Sequence, residues 1–331
     1  MSSERRTFLG LDGGQTGTRA VVVDGDGRVL ARGEAGGLVH ALQPGGDAML
    51  REALGSIRDQ CRVDGRDPAV VFLGLTAVVP GTASEPVGLQ IAAETWPASQ
   101  RVVEGDGIIA WAGATGGAPG VAAMAGTGSV VVAVNERGER VETGGWAYLF
   151  GDSGSGWQIG SNAVREMLRR WDRDRSVSAV GQAVLDAFAA AAPPEVPDRV
   201  YSGEIDYREV AQLAERVIGL ARAGDEDATR LVAGAAADFS QDVAFAFNRL
   251  HWEIEPVLVG MLGGIFRAGP VYREPFLRGL EALTPHRVRL SDPVLTGLGG
   301  AALLALRAGG IAPTPALVAT LAAQGMGSDD A

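Results

Sequence analysis

The chain contains no lysine; all 29 of its basic residues are arginine. That absence excludes the Walker A loop, whose lysine reaches the β and γ phosphates. It also excludes Schiff-base and pyridoxal phosphate catalysis and the lysine of a protein kinase. Cysteine is nearly as scarce. Cys61 stands alone, so there is no disulfide framework and no CxxC, and a reducing cytoplasmic compartment is expected. His40, His251 and His286 lie far apart in sequence without zinc-ligand spacing and are read as surface or packing residues. Positive charge is in deficit. A net charge of −11 removes the basic face that nucleic acid or an anionic membrane would require, so neither is expected as a partner. Glu4, Arg5 and Arg6 precede only a short apolar patch, too little for a signal peptide. From Gly107 to Asn135 there is no charge at all, yet seven glycines and Pro119 break the run into helix, turn and hairpin. That is a buried core rather than a membrane span.

What is present fits an α/β protein of about two domains: 331 residues, 46% hydrophobic and 21% charged. Phe8 to Val23 reads as strand, glycine-threonine turn, strand. Gly13, Gly14 and Gly17 allow close approach of the backbone to a ligand, and Thr16 and Thr18 add hydroxyl donors, a turn suited to phosphate oxygens. An ordinary hairpin turn uses the same residue types. Val121 to Val134 repeats the pattern 111 residues later, with Thr127-Gly128-Ser129 in place of Thr16-Gly17-Thr18. The repeat predicts two related half-molecules, each offering a hairpin to a shared nucleotide cleft.

In chain order, strands are expected to about Gly33, a helix over 48–61 (Met49, Ala53, Leu54, Ile57 and Cys61 at helical spacing), strands at 69–75 and 101–105 and a helix at 86–95. The second half restarts with strands near 119–125, 129–135 and 139–142. Helices follow over 153–171, 177–191, 207–222 and 226–250, with Pro193, Pro194 and Pro197 marking a loop. Pro256 to Gly264 reads as a buried strand opening into a glycine turn, a third close-approach site, followed by a helix to about Leu283. Leu295 to Ala302 fits a GxGxxA fingerprint, but too little chain follows for a dinucleotide unit, so close helix packing is expected. A last helix over 313–324 and a frayed tail from Gly325 complete the chain.

Taken together, Asp12-Gly13-Gly14-Gln15-Thr16-Gly17-Thr18, Gly105-Asp106-Gly107, Gly126-Thr127-Gly128-Ser129, Gly144-Gly145-Trp146, Gly151-Asp152-Ser153-Gly154-Ser155-Gly156 and Val259-Gly260 resemble one family over nearly the whole chain. It is the N-acetylglucosamine kinase branch of the BadF/BadG/BcrA/BcrD ATPase family, in the actin, sugar kinase and heat-shock chaperone superfamily. The resemblance implies two ribonuclease H-like domains of the actin-like ATPase fold flanking a nucleotide cleft, one over 1–115 with the 313–324 helix packed on it, the other over 116–331 with a helical insertion. ATP and Mg2+ are the implied cofactors, an amino sugar the substrate and a homodimer the assembly. By the same resemblance Gly13, Gly14, Gln15, Thr16, Gly17 and Thr18 form the first phosphate loop and Gly126, Thr127, Gly128 and Ser129 the second, with Gly260, Gly263 and Gly264 adding to the nucleotide site. Asp12 would organise Mg2+ through water, in keeping with that ion's use of one or two carboxylates plus phosphates; otherwise it starts an Asp-Gly turn. Asp106 would be the catalytic base, or else a helix cap. Thr127, Gly145, Trp146 and Asp152 would contact the sugar, though Asp152 also suits a cap for the following helix.

Relatives carry Asn where this chain has Val130, Glu where it has Ser153, and Asn in the loop matching Leu38 to Ala41, so three polar groups are missing from the implied sugar pocket. The implied reaction is ATP-dependent phosphorylation of the 6-hydroxyl of an amino sugar, N-acetyl-D-glucosamine foremost, with glucosamine and N-acetylmuramic acid as alternatives. A non-catalytic sugar or ATP sensor is the rival of another class. Activators of radical dehydratases, in the other branch of the family, hold an iron-sulfur cluster that one cysteine per chain cannot ligate.

Overall fold

Alternation writes the first sheet. Leu9 and Leu11 of β1 (Phe8–Gly13) point to one face, where they meet Ala20 and Val22 of the antiparallel β2 (Thr18–Val23). The structure, a computed structural model, describes residues 6–328; Glu4, Arg5 and the last three residues of the tail lie outside it. β3 (Val29–Ala35) continues the meander. α1 (Gly46–Gln60) then covers the Leu9 face with Leu50, Ala53, Leu54 and Ile57. Met49, expected on that face, is 40% exposed, because Leu50 takes its place. β4 (Val70–Leu75), buried throughout, joins parallel to β1; α2 (Ser84–Thr95), β5 (Gln100–Glu104) and α3 (Asp106–Thr115) follow. The order across the sheet is β3-β2-β1-β4-β5.

The second sheet repeats the scheme. β6 (Gly120–Ala125), β7 (Ser129–Val134) and β8 (Arg140–Gly144) form the antiparallel meander. A helical block follows: α4 (Ala147–Phe150), α5 (Gly156–Asp174), α6 (Ala179–Phe188), α7 (Glu195–Tyr201), α8 (Tyr207–Arg222) and α9 (Glu226–Asn248). β9 (Val257–Leu262) then pairs parallel to β6, α10 (Pro270–Leu283) follows and β10 (Val288–Ser291) pairs with β9. The order β10-β9-β6-β7-β8 mirrors the first sheet. Its core runs from Val121, Ala123 and Val131 into Phe239, Phe266, Tyr272 and Phe276, whose rings stack or meet edge to face. Among the described residues no helix is long and apolar enough to cross a membrane.

Several expectations need correction. α4, α7 and β10 went unforeseen. Pro197 lies within the first turn of α7 rather than in a loop, a position where the missing N–H costs nothing. The chain divides at Pro119/Gly120 and returns to the first unit at Asp292, so 116–331 is not one domain. α11 (Gly297–Ala308) belongs to the first unit, because it lies on the backbone of β1: a Cβ on Gly10 would come 2.2 Å from the Ala302 nitrogen. α12 (Pro315–Leu321) sets Leu317 and Leu321 over Gly27 in the β2–β3 turn. The tail from Gly325 is not frayed through its described part, since Met326 is buried and Gly327 bridges Leu295.

Candidate active site

In the first unit, three side chains meet the C-terminal ends of parallel strands, where open α/β sheets place ligands. Asp12 lies near the end of β1, Thr76 directly after β4 and Asp106 two residues after β5. Thr76 ties them together. Its N–H donates to the Gly13 carbonyl at 2.9 Å and its hydroxyl donates to the Asp106 carboxylate. Sequence reading missed Thr76; the signal was a hydroxyl immediately following a buried parallel strand. Asp106 keeps access to solvent, yet protein encloses it on most sides, and that desolvation raises its carboxyl above the usual range against hydrogen bonds from Thr76 and from the Asp106 and Gly107 N–H groups. It opens α3, with Gly105 as the cap residue. Burial first, then repulsion from Asp106, pushes the half-buried Asp12 up to about 6, despite the attraction of Arg19. The two acids therefore feel each other.

The hairpin Gly14–Gly17 closes through the Gly14 N–H donating to the Gly17 carbonyl (3.0 Å). A Cβ at Gly13 would come 2.8 Å from the terminal methyls of Leu38 and Leu75, which would have to shift. The Gln15 carbonyl packs on Gly37. Among the described residues the N–H groups of Thr16 and Gly17 donate to no protein acceptor. Thr18 differs from expectation: it is buried and its hydroxyl donates to the Gly36 carbonyl (2.9 Å), so it serves the hairpin's own structure rather than a ligand.

In the second unit the corresponding turn, Gly126–Gly128, is one residue shorter and closes from the Gly126 N–H to the Gly128 carbonyl (2.9 Å). Among the described residues Thr127 and Gly128 again have N–H groups without a protein acceptor, at the positions matching Thr16 and Gly17. The Ser129 N–H is instead taken by Asp152 Oδ1 (3.0 Å). Asp152 is buried and holds a left-handed φ of 64°. Desolvation raises its carboxyl, partly offset by the Ser129 bond. It does not cap the next helix, which begins at Gly156 with Ser155 as its cap, the Ser155 hydroxyl oxygen accepting from the Gln158 N–H at 3.3 Å.

The loop after Asp152 is tied down on every side. Tyr272 donates its hydroxyl to the Gly154 carbonyl (2.8 Å), the Gly154 N–H donates to Gln158, and the Gln158 amide donates to Asp238. The Ser153 hydroxyl donates to Asp242, a partner on α9 that nothing local in the sequence marks. Gly145 receives a left-handed φ of 72° and donates to the Ser129 carbonyl (3.0 Å); Trp146 is 72% exposed at the start of α4. Gly260 lies inside β9, paired with Ala122, so only Gly263 and Gly264 stand in the turn. A Cβ at Gly263 would come 2.3 Å from the Ala125 carbonyl, which brings that turn against the β6 end.

Two α/β units on sheets of the same strand order, each with a glycine-threonine hairpin, define an actin-like ATPase fold. The chain belongs to the BadF/BadG/BcrA/BcrD ATPase family, whose profile matches residues 9–305. An N-acetylmuramic acid/N-acetylglucosamine kinase of Clostridium acetobutylicum is 26% identical over 164 residues, 50% of this chain and 54% of that one, so the match spans about half of that relative's length. An N-acetyl-D-glucosamine kinase of Dictyostelium discoideum is 27% identical over 254 residues, 70% of this chain and 76% of that one. A crystal structure from Chromobacterium violaceum, provisionally named an N-acetylglucosamine kinase, superposes with a TM-score of 0.66 at 27% identity, covering 91% of this chain and 99% of that chain.

Proposed function

We propose that the protein is an ATP-dependent kinase transferring the γ-phosphoryl group to the 6-hydroxyl of an amino sugar, N-acetyl-D-glucosamine foremost. The carrying observation is the trio Asp12, Thr76 and Asp106 at adjoining strand ends, with the Thr76 hydroxyl bonded to Asp106. Thr76 and the Asp106 and Gly107 N–H groups fix the Asp106 carboxylate and leave it one lone pair to accept the proton of an attacking hydroxyl. A raised carboxyl suits a base that takes its proton late in transfer. The N–H groups of Thr16, Gly17, Thr127 and Gly128 receive phosphate oxygens. Asp152, fixed at one oxygen by Ser129, offers the other to sugar hydroxyls. A magnesium ion held by one or two carboxylates and completed by phosphates needs no preformed cluster of acids. Asp12 fits that part, a crowded carboxyl that a cation would relieve. When bound, Mg2+ supplies charge neutralisation at the β and γ phosphates.

A coupled kinase assay over N-acetylglucosamine, glucosamine, N-acetylmuramic acid and glucose tests the reading, with Asp106→Asn alongside. The first sugar should be turned over fastest. The variant should lose roughly 10²-fold or more in kcat with ATP binding unchanged. Binding of sugar and ATP without turnover of any sugar would make the protein a sensor instead. Activity of the variant within a few fold of wild type would reduce Asp106 to a helix-end residue.

A further inference from the structure

We propose that the C-terminal strap Gln324–Gly327 is a positioning element for Asp12, acting through the first turn of α11; the inference rests on the role given to Asp12 above. The glycines at the start of α11 have different neighbours. Gly300 is needed because α3 crosses there, a Cβ lying 2.0 Å from the Ile109 carbonyl. Gly297 instead faces a charge: a Cβ there would sit 2.7 Å from Asp12 Oδ2, so the first turn of α11 is packed against the carboxylate. The N-terminal end of a helix is the end that favours an anion.

The strap holds that turn from the opposite side. Gln324 leaves the helical path (φ −107°, ψ 31°) and Gly325 turns the chain at a φ of 74°. The Gln324 side chain then takes the place of a strand partner: Oε1 accepts from the Val29 N–H (2.8 Å) and Nε2 donates to the Gly27 carbonyl (2.9 Å). The exposed Arg32 guanidinium donates to the Gln324 carbonyl. Two residues on, the buried Met326 turns its carbonyl to Thr296, accepting from the N–H at 2.9 Å and from the hydroxyl at 3.4 Å. Thr296 is the cap of α11, its Oγ1 accepting from the Gly299 N–H at 3.2 Å. A Cβ at Gly299 would lie 3.0 Å from the Met326 carbonyl. The first turn of α11 is therefore enclosed by Asp12, α3 and the strap. With α3 fixed, loosening the strap lets the turn move away from the carboxylate.

The test uses the full chain, with Mg2+ and ATP as probes and no sugar. Gln324→Met removes the side-chain bonds to Val29 and Gly27, together with the one Nε2 donates to the Thr320 carbonyl at 3.3 Å, at nearly constant volume; Arg32→Gln removes one strap contact from the surface and carries no risk to the core. Calorimetric titration of ATP at stepped Mg2+ concentrations should show the Mg2+ requirement of Gln324→Met rising by about 10-fold, the size typical for groups behind a metal ligand. Arg32→Gln should shift it the same way by roughly twofold. Metal-free ATP affinity should stay within twofold. Unchanged Mg2+ dependence in both variants, or an equal loss of metal-free ATP affinity, overturns the proposal and leaves the strap a packing element. If the wild type binds ATP with no Mg2+ dependence, the role of Asp12 fails and the inference with it. If it phosphorylates no sugar, the kinase reading fails while this titration still reports on the strap.

Discussion

In the nucleotide-free protein Asp12 weakens the fold that carries it. Its carboxyl goes from an ordinary value of 3.8 to about 6, with burial the larger cause and Asp106 the smaller. A raised native pKa means that the folded chain binds the proton more tightly than the unfolded one, so stability is gained as pH falls. The penalty is complete above about pH 6, is relieved between about 6 and 3.8, and is gone below, where both states are protonated. At pH 8 it amounts to about 3 kcal/mol. Asp12→Asn should then melt several degrees higher than wild type at pH 8 without metal or nucleotide, and the gain should vanish by about pH 4. Equal melting temperatures at pH 8, or a gain that survives at pH 4, would show that Asp12 is not desolvated in this way. Such a trade of stability for a buried charge is usual for functional groups, and it is what the role proposed for Asp12 requires.

The hairpin turns were legible at the level of elements because glycine, threonine and alternating valine are local signals. Their connections were not. Asp152 reaches Ser129, Ser153 reaches Asp242 on α9 and Thr76 reaches Asp106, and none of these pairs shares a sequence period. The short α4 and α7 escaped for a related reason: helices of one or two turns carry too few apolar repeats to show a period, and tertiary contacts such as the stacking of Tyr148 on Tyr207 hold them. Strand alternation does bear on Val130, the valine where the family resemblance implies Asn. Val131 and Ala133 point into the helical core, so Val130 faces the other way, paired with Met124 and Gly144. A Cβ on Gly145 would lie 3.5 Å from Val130 Cγ2, which puts this side chain beneath a residue expected to touch sugar. Val130→Asn should therefore shift the kcat/KM ratio of N-acetylglucosamine over glucosamine by about fivefold, the equivalent of one neutral hydrogen bond. A constant ratio with a lower melting temperature would make Val130 a packing residue only.

For the whole molecule, the second unit is an insertion into the first. Gly120–Ser291 starts and ends in its own sheet, at β6 and β10, and its core is built from its own residues. The first unit is split, and the piece that returns after the insertion is not peripheral. α11 buries Leu298, Leu303, Leu304 and Leu306, at roughly 1.5–3 kcal/mol for each side chain. Together these rival the entire stability of a typical domain, about 5–15 kcal/mol. A fragment of residues 120–291 should melt cooperatively by itself. Residues 1–119 should not, for want of α11 over β1. The Leu295 N–H donates to the Gly113 carbonyl at 2.8 Å, so the two cut ends of the first unit lie close enough for a short glycine-serine linker to join 119 to 292. The linked first unit should regain a cooperative transition by circular dichroism and calorimetry. Cooperative melting of 1–119 without the linked segment would show that α11 is dispensable to that core. A fragment of residues 116–331 melting more cooperatively than 120–291 would restore the simple two-part division that the sequence alone implied.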